Sequence, residues 1–72
     1  MDKKHYERVI NDWYNENVNV DGEMETINLI EFAETSNIIV VISRSKNCCT
    51  AVCRIFKVVD CFTVQCEYVV NY

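Results

Sequence analysis

Five consecutive β-branched residues, Ile38 to Ile42, constrain the fold of this 72-residue chain more than any other segment. Such side chains favour strands, and a strand that is apolar on both faces is typical of the centre of a sheet. The polar run 43–47 predicts a turn, residues 49–59 predict a second strand, and Asp60 predicts another turn. Apolar and polar residues then alternate in a third strand, with apolar residues at Phe62, Val64, Cys66, Tyr68 and Val70. This half of the chain therefore predicts a three-stranded antiparallel meander.

The first half of the chain begins with a predicted helix over residues 2–16. Asp2 is suited to be its N-cap, because a short acceptor side chain can bond the free backbone N–H groups of the first turn. Apolar residues recur at helical spacing and form one stripe: Tyr6, Val9, Ile10, Trp13 and Tyr14. We expect this stripe, with Trp13 in it, to pack on one face of the sheet. The predicted fold class is α+β in a single domain, 1–72.

Residues 17–35 allow two interpretations. The Asp21-Gly22 pair is a turn signal, and a short hairpin around it would add a fourth strand, pairing Val18 and Val20 with Met24 and Thr26. Alternatively, Thr26 caps a short second helix near 26–34, whose apolar residues are Ile27, Leu29, Ile30 and Ala33. We favour the short helix slightly, but the periodicity of so brief an apolar run does not distinguish a helix from a strand.

One amphipathic helix covers only one face of a sheet, whereas the segments 38–42 and 51–56 are apolar on both faces. The segment 26–34, a second copy of the chain or a partner must cover the other face. A homodimeric structural or assembly protein is therefore one expectation, with an interface that buries Ile39, Val41 and Ile55.

Five cysteines lie in the last 25 residues, and their number is odd. Because their neighbours are apolar, we expect reduced cysteines in the core or sheet, while a metal site or a disulfide stays open. Cys53 and Cys66 could face each other across neighbouring strands. A small cysteine-rich metal or redox module is thus a further interpretation, although the spacing does not predict a metal site.

Catalytic motifs are not visible in this sequence. The only histidine, His5, is far from every cysteine, and the chain has neither a nucleophile elbow nor a Gly-rich phosphate loop. We therefore expect no enzyme, no catalytic residues, no metal and no cofactor. The net charge of −4 opposes direct nucleic-acid binding, and no apolar run approaches the ~20 residues of a membrane span. The polar segment 1–5 is unlike a signal peptide, which favours a cytoplasmic location.

Charge is distributed unevenly along the chain. Residues 1–36 carry nine acids and three bases, and no lysine or arginine lies between Arg8 and Arg44. The helix has lysines in its first turn and acids near its end, which opposes its dipole, so local stability does not explain them. We predict a negative face for a cationic protein partner, to which Trp13 and Tyr14 would add an aromatic anchor at the edge of the helix, although the stripe favours a core position for Trp13. Its contact residues are Asp12, Glu16, Asp21, Glu23, Glu25, Glu31 and Glu34.

In size, acidity and its single compact domain, the chain resembles the phage-encoded host-defence inhibitors, including small acidic anti-CRISPR proteins, several of which imitate DNA. The resemblance implies a non-enzymatic inhibitor that docks on the cationic nucleic-acid-binding groove of a host or defence protein, such as a CRISPR effector. Carboxylates would then occupy the arginines that otherwise hold phosphates.

Overall fold

A computed structural model describes residues 2–22, 24–33, 35–46 and 50–71. Within these residues one helix precedes four strands, in the order α1 (Lys3–Asn17), β1 (Glu25–Phe32), β2 (Ile38–Ser45), β3 (Ala51–Asp60) and β4 (Thr63–Asn71). The strands form one antiparallel sheet in the order β1-β2-β3-β4, so that each strand pairs with the one before it. The predicted α+β class is confirmed, with four strands.

Helix α1 begins and ends close to its predicted limits. The carboxylate of Asp2 accepts a hydrogen bond from the backbone N–H of His5 at 3.2 Å, which confirms the predicted N-cap. The backbone N–H of Val18 donates to the carbonyl of Tyr14 at 2.9 Å at the other end. The first turn has no acid and the last has no base, so the charges do oppose the dipole. In the described part of the chain, no helix is long and apolar enough to cross a membrane.

Residues 26–32 lie in a strand and not in a helix, so the predicted short helix near 26–34 was wrong. Strand β1 pairs with β2 from Glu25 to Phe32, and its register shifts between Ile27 and Leu29, which makes Asn28 an extra, bulged residue. The alternative hairpin does not form either, because Val18 and Val20 lie outside any strand.

The turn between α1 and β1 is organised by one side chain. The Asn19 amide oxygen accepts from the backbone N–H groups of Met24 and Glu25 at 2.9 and 3.0 Å, and its amide nitrogen donates to the Glu25 carbonyl. Gly22 has a φ of 121°, a conformation that residues with a Cβ rarely adopt. The predicted turn at Asp21-Gly22 is therefore confirmed.

Two predictions about the later strands need correction. Ser43, Arg44 and Ser45 do not form a turn but continue strand β2. Strand β4 does not alternate regularly, because its register against β3 shifts between Cys66 and Tyr68, where Glu67 is the extra residue. Val64 and Cys66, before the bulge, therefore lie on the opposite face of the sheet from Tyr68 and Val70, which follow it.

The core lies between α1 and one face of the sheet, the inner face. Ile10 and Tyr14 of α1 are buried against sheet residues that are completely buried: Ile39, Val41 and Phe56. Trp13 packs against this core, and its ring meets that of Phe56 edge to face with centroids 4.9 Å apart. Burying a large aliphatic or aromatic side chain stabilises a fold by about 1.5–3 kcal/mol, so this layer supplies the main attraction between helix and sheet.

The opposite face of the sheet, the outer face, has two central rows of side chains that run across all four strands. Residues paired across strands share a face, so the register defines both rows. The first, the Leu29 row, contains Leu29, Ile42, Cys53 and Val70, and the second, the Glu31 row, contains Glu31, Val40, Ile55 and Tyr68.

No helix or strand among the described residues covers the outer face, since α1 packs on the inner face. Leu29, Tyr68 and Val70 are exposed, and Tyr68 retains 68% of its accessible surface. The expected dimer interface must therefore be corrected. Ile39 and Val41 are buried under the helix, and the outer face presents Val40 and Ile42 beside Ile55 instead.

Candidate functional site

The seven predicted contact acids do not share one face. Asp12 and Glu16 are exposed on α1, and Asp21 is exposed in the turn that follows it. Glu31 is exposed in the Glu31 row of the outer face, on the other side of the sheet. Glu23 and Glu34 lie outside the described residues. The remaining acid, Glu25, points to the inner face, where its carboxylate is already bonded.

Glu25 forms an ion pair with Arg54 at the edge of the core. Arg54 donates to both carboxylate oxygens, at 3.0 Å from Nη2 and through a closer contact from Nη1, and Ser43 Oγ donates to the same carboxylate at 2.7 Å. Each side chain of the pair retains only 12% exposure. The hydrogen bond from Arg54 outweighs burial and lowers the pKa of Glu25 below its ordinary value.

Tyr14 completes this network from the helix. The Arg54 guanidinium donates to the Tyr14 hydroxyl at 3.2 Å and lies 5.1 Å from the centre of its ring and 6.0 Å from that of Trp13. Burial opposes the charge on Arg54, but its bonds to Glu25 and Tyr14 outweigh this effect and raise its pKa. Tyr14 is only 1% exposed, so its predicted part in an aromatic anchor was wrong.

A groove of about 570 Å³ lies on the helix side of the molecule, where α1 passes the β3–β4 turn and the start of β4. We call it the helix-side groove, and it is lined by His5, Arg8, Val9, Asp12, Trp13, Glu16, Phe62, Thr63 and Val64. Arg8, Asp12 and Glu16 follow each other at intervals of four along α1, so they lie on one side of the helix.

The far wall of the groove is held in place by the first turn of α1. His5 Nε2 donates to the backbone carbonyl of Cys61, and the His5 ring meets that of Phe62 edge to face at 5.7 Å. The Asp60 carboxylate accepts from the backbone N–H of Phe62 at 2.9 Å; this bond and one from Thr63 lower the pKa of Asp60. Phe62 itself is 75% exposed. The groove therefore combines two free carboxylates with an exposed aromatic ring.

Sequence reasoning placed Asp12 and Glu16 in the site but missed the opposite wall. Phe62 was assigned to the third strand, whereas it lies in the turn before β4. A large apolar residue two positions after Asp60, inside a tight turn, was the available signal, because turn tips are ordinarily polar.

The cysteines do not form a cluster in the described part of the chain. Cys53 pairs with Val70 on the outer face and Cys66 pairs with Phe56 on the inner face, so the expectation that they face each other was wrong. Cys61 is exposed in the β3–β4 turn, and all three are free thiols. Burial raises the pKa of the Cys66 thiol.

No group of three or more potential metal ligands occurs in residues 2–22, 24–33, 35–46 and 50–71. Cys48 and Cys49 lie outside these ranges, so the predictions about these two cysteines concern residues that the structure does not describe. His5 approaches Cys61 through its backbone oxygen and not its thiol. The fold and site define a small α+β domain with a helix-side groove and an open sheet face. Comparison with family models, characterised proteins and solved structures finds no match.

Proposed function

We propose that this protein is a non-enzymatic binding domain, an acidic inhibitor of a nucleic-acid-handling protein. It docks on the cationic nucleic-acid-binding groove of a host or defence protein, such as a CRISPR effector, in the cytoplasm of the producing or infected cell. The supporting observation is the helix-side groove, in which the carboxylates of Asp12 and Glu16 accompany the aromatic rings of Trp13 and Phe62.

This combination suits an arginine side chain. A guanidinium pairs with a carboxylate through two parallel hydrogen bonds and also stacks on an aromatic ring, which an ammonium does less well. Arginines that bind phosphates in a nucleic-acid groove present the same planar donor group. Arg8 also lines the site, so the balance at neutral pH is two carboxylates against one guanidinium, which favours an incoming cation.

The contact residues in this proposal are fewer than the sequence predicted. Asp12, Glu16 and Asp21 remain, because they are exposed and free of the sheet. Glu25 is left out because Arg54 and Ser43 already bond its carboxylate, and Glu31 because it lies on the outer face. The proposal does not depend on Glu23 or Glu34.

Association with a cationic protein is expected to be fast and to weaken as salt is raised. Trp13 is the only tryptophan in the chain and lines the groove, so its fluorescence reports an arginine placed there. We expect hexaarginine to change this fluorescence more strongly than hexalysine does. Glu16→Lys should weaken the response, whereas Glu7→Lys, an equal charge change on the same helix outside the groove, should weaken it less.

A competition assay then tests inhibition directly. The protein is added to purified CRISPR effectors and nucleases bound to a fluorescent oligonucleotide, and the release of the oligonucleotide is measured at low and raised salt. Release of the oligonucleotide from at least one of them, reduced more by Asp12→Lys/Glu16→Lys than by Glu7→Lys, supports the proposal. Failure to displace it from any of them, or displacement that the double variant leaves unchanged, contradicts it.

A further inference from the structure

The outer face is arranged like the centre of a protein interface, with apolar rows in the middle and charges at its margins. The Leu29 row is entirely apolar if Cys53 is counted as a small hydrophobic residue, and the Glu31 row has one charge, at its β1 end. Exposed Arg44 lies beyond one row and exposed Lys57 beyond the other. An apolar centre within a polar rim is the usual anatomy of a protein interface.

We propose that this face joins two copies of the chain in a two-fold symmetric dimer, with Glu31 of each copy against Tyr68 of the other. The observation that selects a second copy is the order of residues within the rows. Glu31 and Tyr68 lie at opposite ends of the same row, on the edge strands β1 and β4. In a two-fold interface, if one residue contacts a second, the second contacts the first in return.

Two sheets that pack face to face keep their strands roughly aligned, so the two-fold axis runs either along the strands or across them. An axis along the strands places β1 of one copy over β4 of the other. Each row then lies over the same row of the second copy in reverse order, so that Leu29 lies over Val70 and Val40 over Ile55 of the second copy. Glu31 lies over Tyr68 twice, and each carboxylate can accept a hydrogen bond from a phenol.

An axis across the strands is less favourable. It exchanges the two rows, so that Glu31 lies over Leu29 and Tyr68 over Val70 of the second copy. The carboxylate and the phenol would then both be buried against aliphatic side chains, and an unpaired buried polar group costs several kcal/mol. With the axis along the strands, Arg44 lies over Ala51 and Lys57 over Ile38 of the second copy, so like charges are not directly opposed.

The size of the face is adequate for a weak dimer. The face has four strands spaced about 4.8 Å apart and four rows of side chains spaced about 6.8 Å apart, counting the two central rows and those of Arg44 and Lys57. These spacings give an area of about 500 Å² for each copy. The two copies together bury about 1,000 Å², the lower limit of specific interfaces, where weak and transient complexes are found. The helix-side groove stays free in this dimer, because α1 packs on the inner face. Failure of the dimer therefore leaves the proposed function untouched, and the converse holds too.

Sedimentation equilibrium over concentrations from about 1 μM to about 1 mM tests the proposal, since this range covers dissociation constants of weak complexes. Glu31→Lys is expected to raise the dimer dissociation constant at least about tenfold, because the Tyr68 phenol can accept only one of the three hydrogen bonds that a buried ammonium donates. Glu7→Lys makes the same charge change on the exposed side of α1 and should leave the constant unchanged. Circular dichroism verifies that each variant is folded.

The decisive variant is the double exchange Glu31→Lys/Tyr68→Glu. Within one chain these positions are three strand spacings apart, about 14 Å, so they do not form a pair there. Between copies they are apposed, and we expect the double variant to dimerise more tightly than Glu31→Lys alone. A wild-type protein that stays monomeric throughout, or a double variant that is no tighter than Glu31→Lys, overturns the proposal.

Discussion

Replacing Glu25 by alanine is expected to lower the free energy of unfolding by about 2–4 kcal/mol. The variant leaves the Arg54 guanidinium beside the core without its carboxylate, and Ser43 loses the acceptor that lies 2.7 Å from its hydroxyl. An exposed ion pair contributes about 0–1 kcal/mol, whereas breaking a buried one costs about 3–5 kcal/mol. With both side chains 12% exposed, this pair belongs near the buried limit.

The loss is large compared with the whole stability of so small a domain. At about 0.05–0.15 kcal/mol per residue, a chain of 72 residues has about 4–11 kcal/mol in total. Urea unfolding followed by the fluorescence of Trp13 measures the change, because its ring packs against Phe56 in the core. At a slope of about 1 kcal/mol per molar urea, the midpoint should fall by about 2 M or more.

The matched control is Glu31→Ala, which removes an exposed carboxylate from the same strand and should change stability by less than about 0.5 kcal/mol. Both variants are measured at about 1 μM, so that dimerisation contributes little. Equal midpoints for the two variants would refute the assigned role of the Glu25–Arg54 pair. The apolar exchange Glu25→Leu/Arg54→Met should recover stability relative to Glu25→Ala, because it leaves no buried charge unpaired.

Two further predictions concern protonation and thiol chemistry. The folded-state pKa of Glu25 lies below its ordinary value of 4.5. The ionised carboxylate therefore contributes fully to folding stability above that pH, and this contribution is lost as the pH falls through the folded-state pKa. The difference in urea midpoint between wild type and Glu25→Gln should shrink between about pH 7 and about pH 3. Two variants are compared, one with Cys61 and one with Cys66 as its single cysteine. Cys61 should react with an aromatic disulfide faster than Cys66, since Cys61 is exposed while burial raises the pKa of the Cys66 thiol. Equal rates would contradict this.

The sequence predicted α1, β2, β3 and β4 from their apolar patterns, although it did not reveal the bulge at Glu67 in β4. Helix α1 and its cap at Asp2 were predicted to within one residue, because a single apolar stripe of period 3.6 runs through it. A short helix was favoured over a fourth strand in the region of β1 because of the bulge in that strand. Asn28 shifts the alternation, so that the inward residues Ile27 and Ile30 are three apart, a spacing that a helix would also give.

Local reading also failed where side chains depend on partners far along the chain. Ser43 looked like a turn residue, yet it is completely buried, within 3.4 Å of the Tyr14 hydroxyl and bonded to Glu25. The charge of Glu25 placed it with the surface acids, and its partner Arg54 is 29 residues away. Such an inward carboxylate becomes predictable only when the register of the sheet is known, since register decides which face each side chain occupies.

The bulge at Glu67 means that the number of residues in β4, as well as their identity, determines what the outer face presents. Since β4 is an edge strand, only β3 fixes its register. If its end slipped by one residue and absorbed the bulge, Tyr68 and Val70 would turn inward and Val69 would turn outward. Deletion of Glu67 would instead straighten the strand and keep every other residue on its face. Deletion of this residue would thus preserve both faces of the sheet, whereas a slip of the full-length strand would exchange inward and outward residues along this edge.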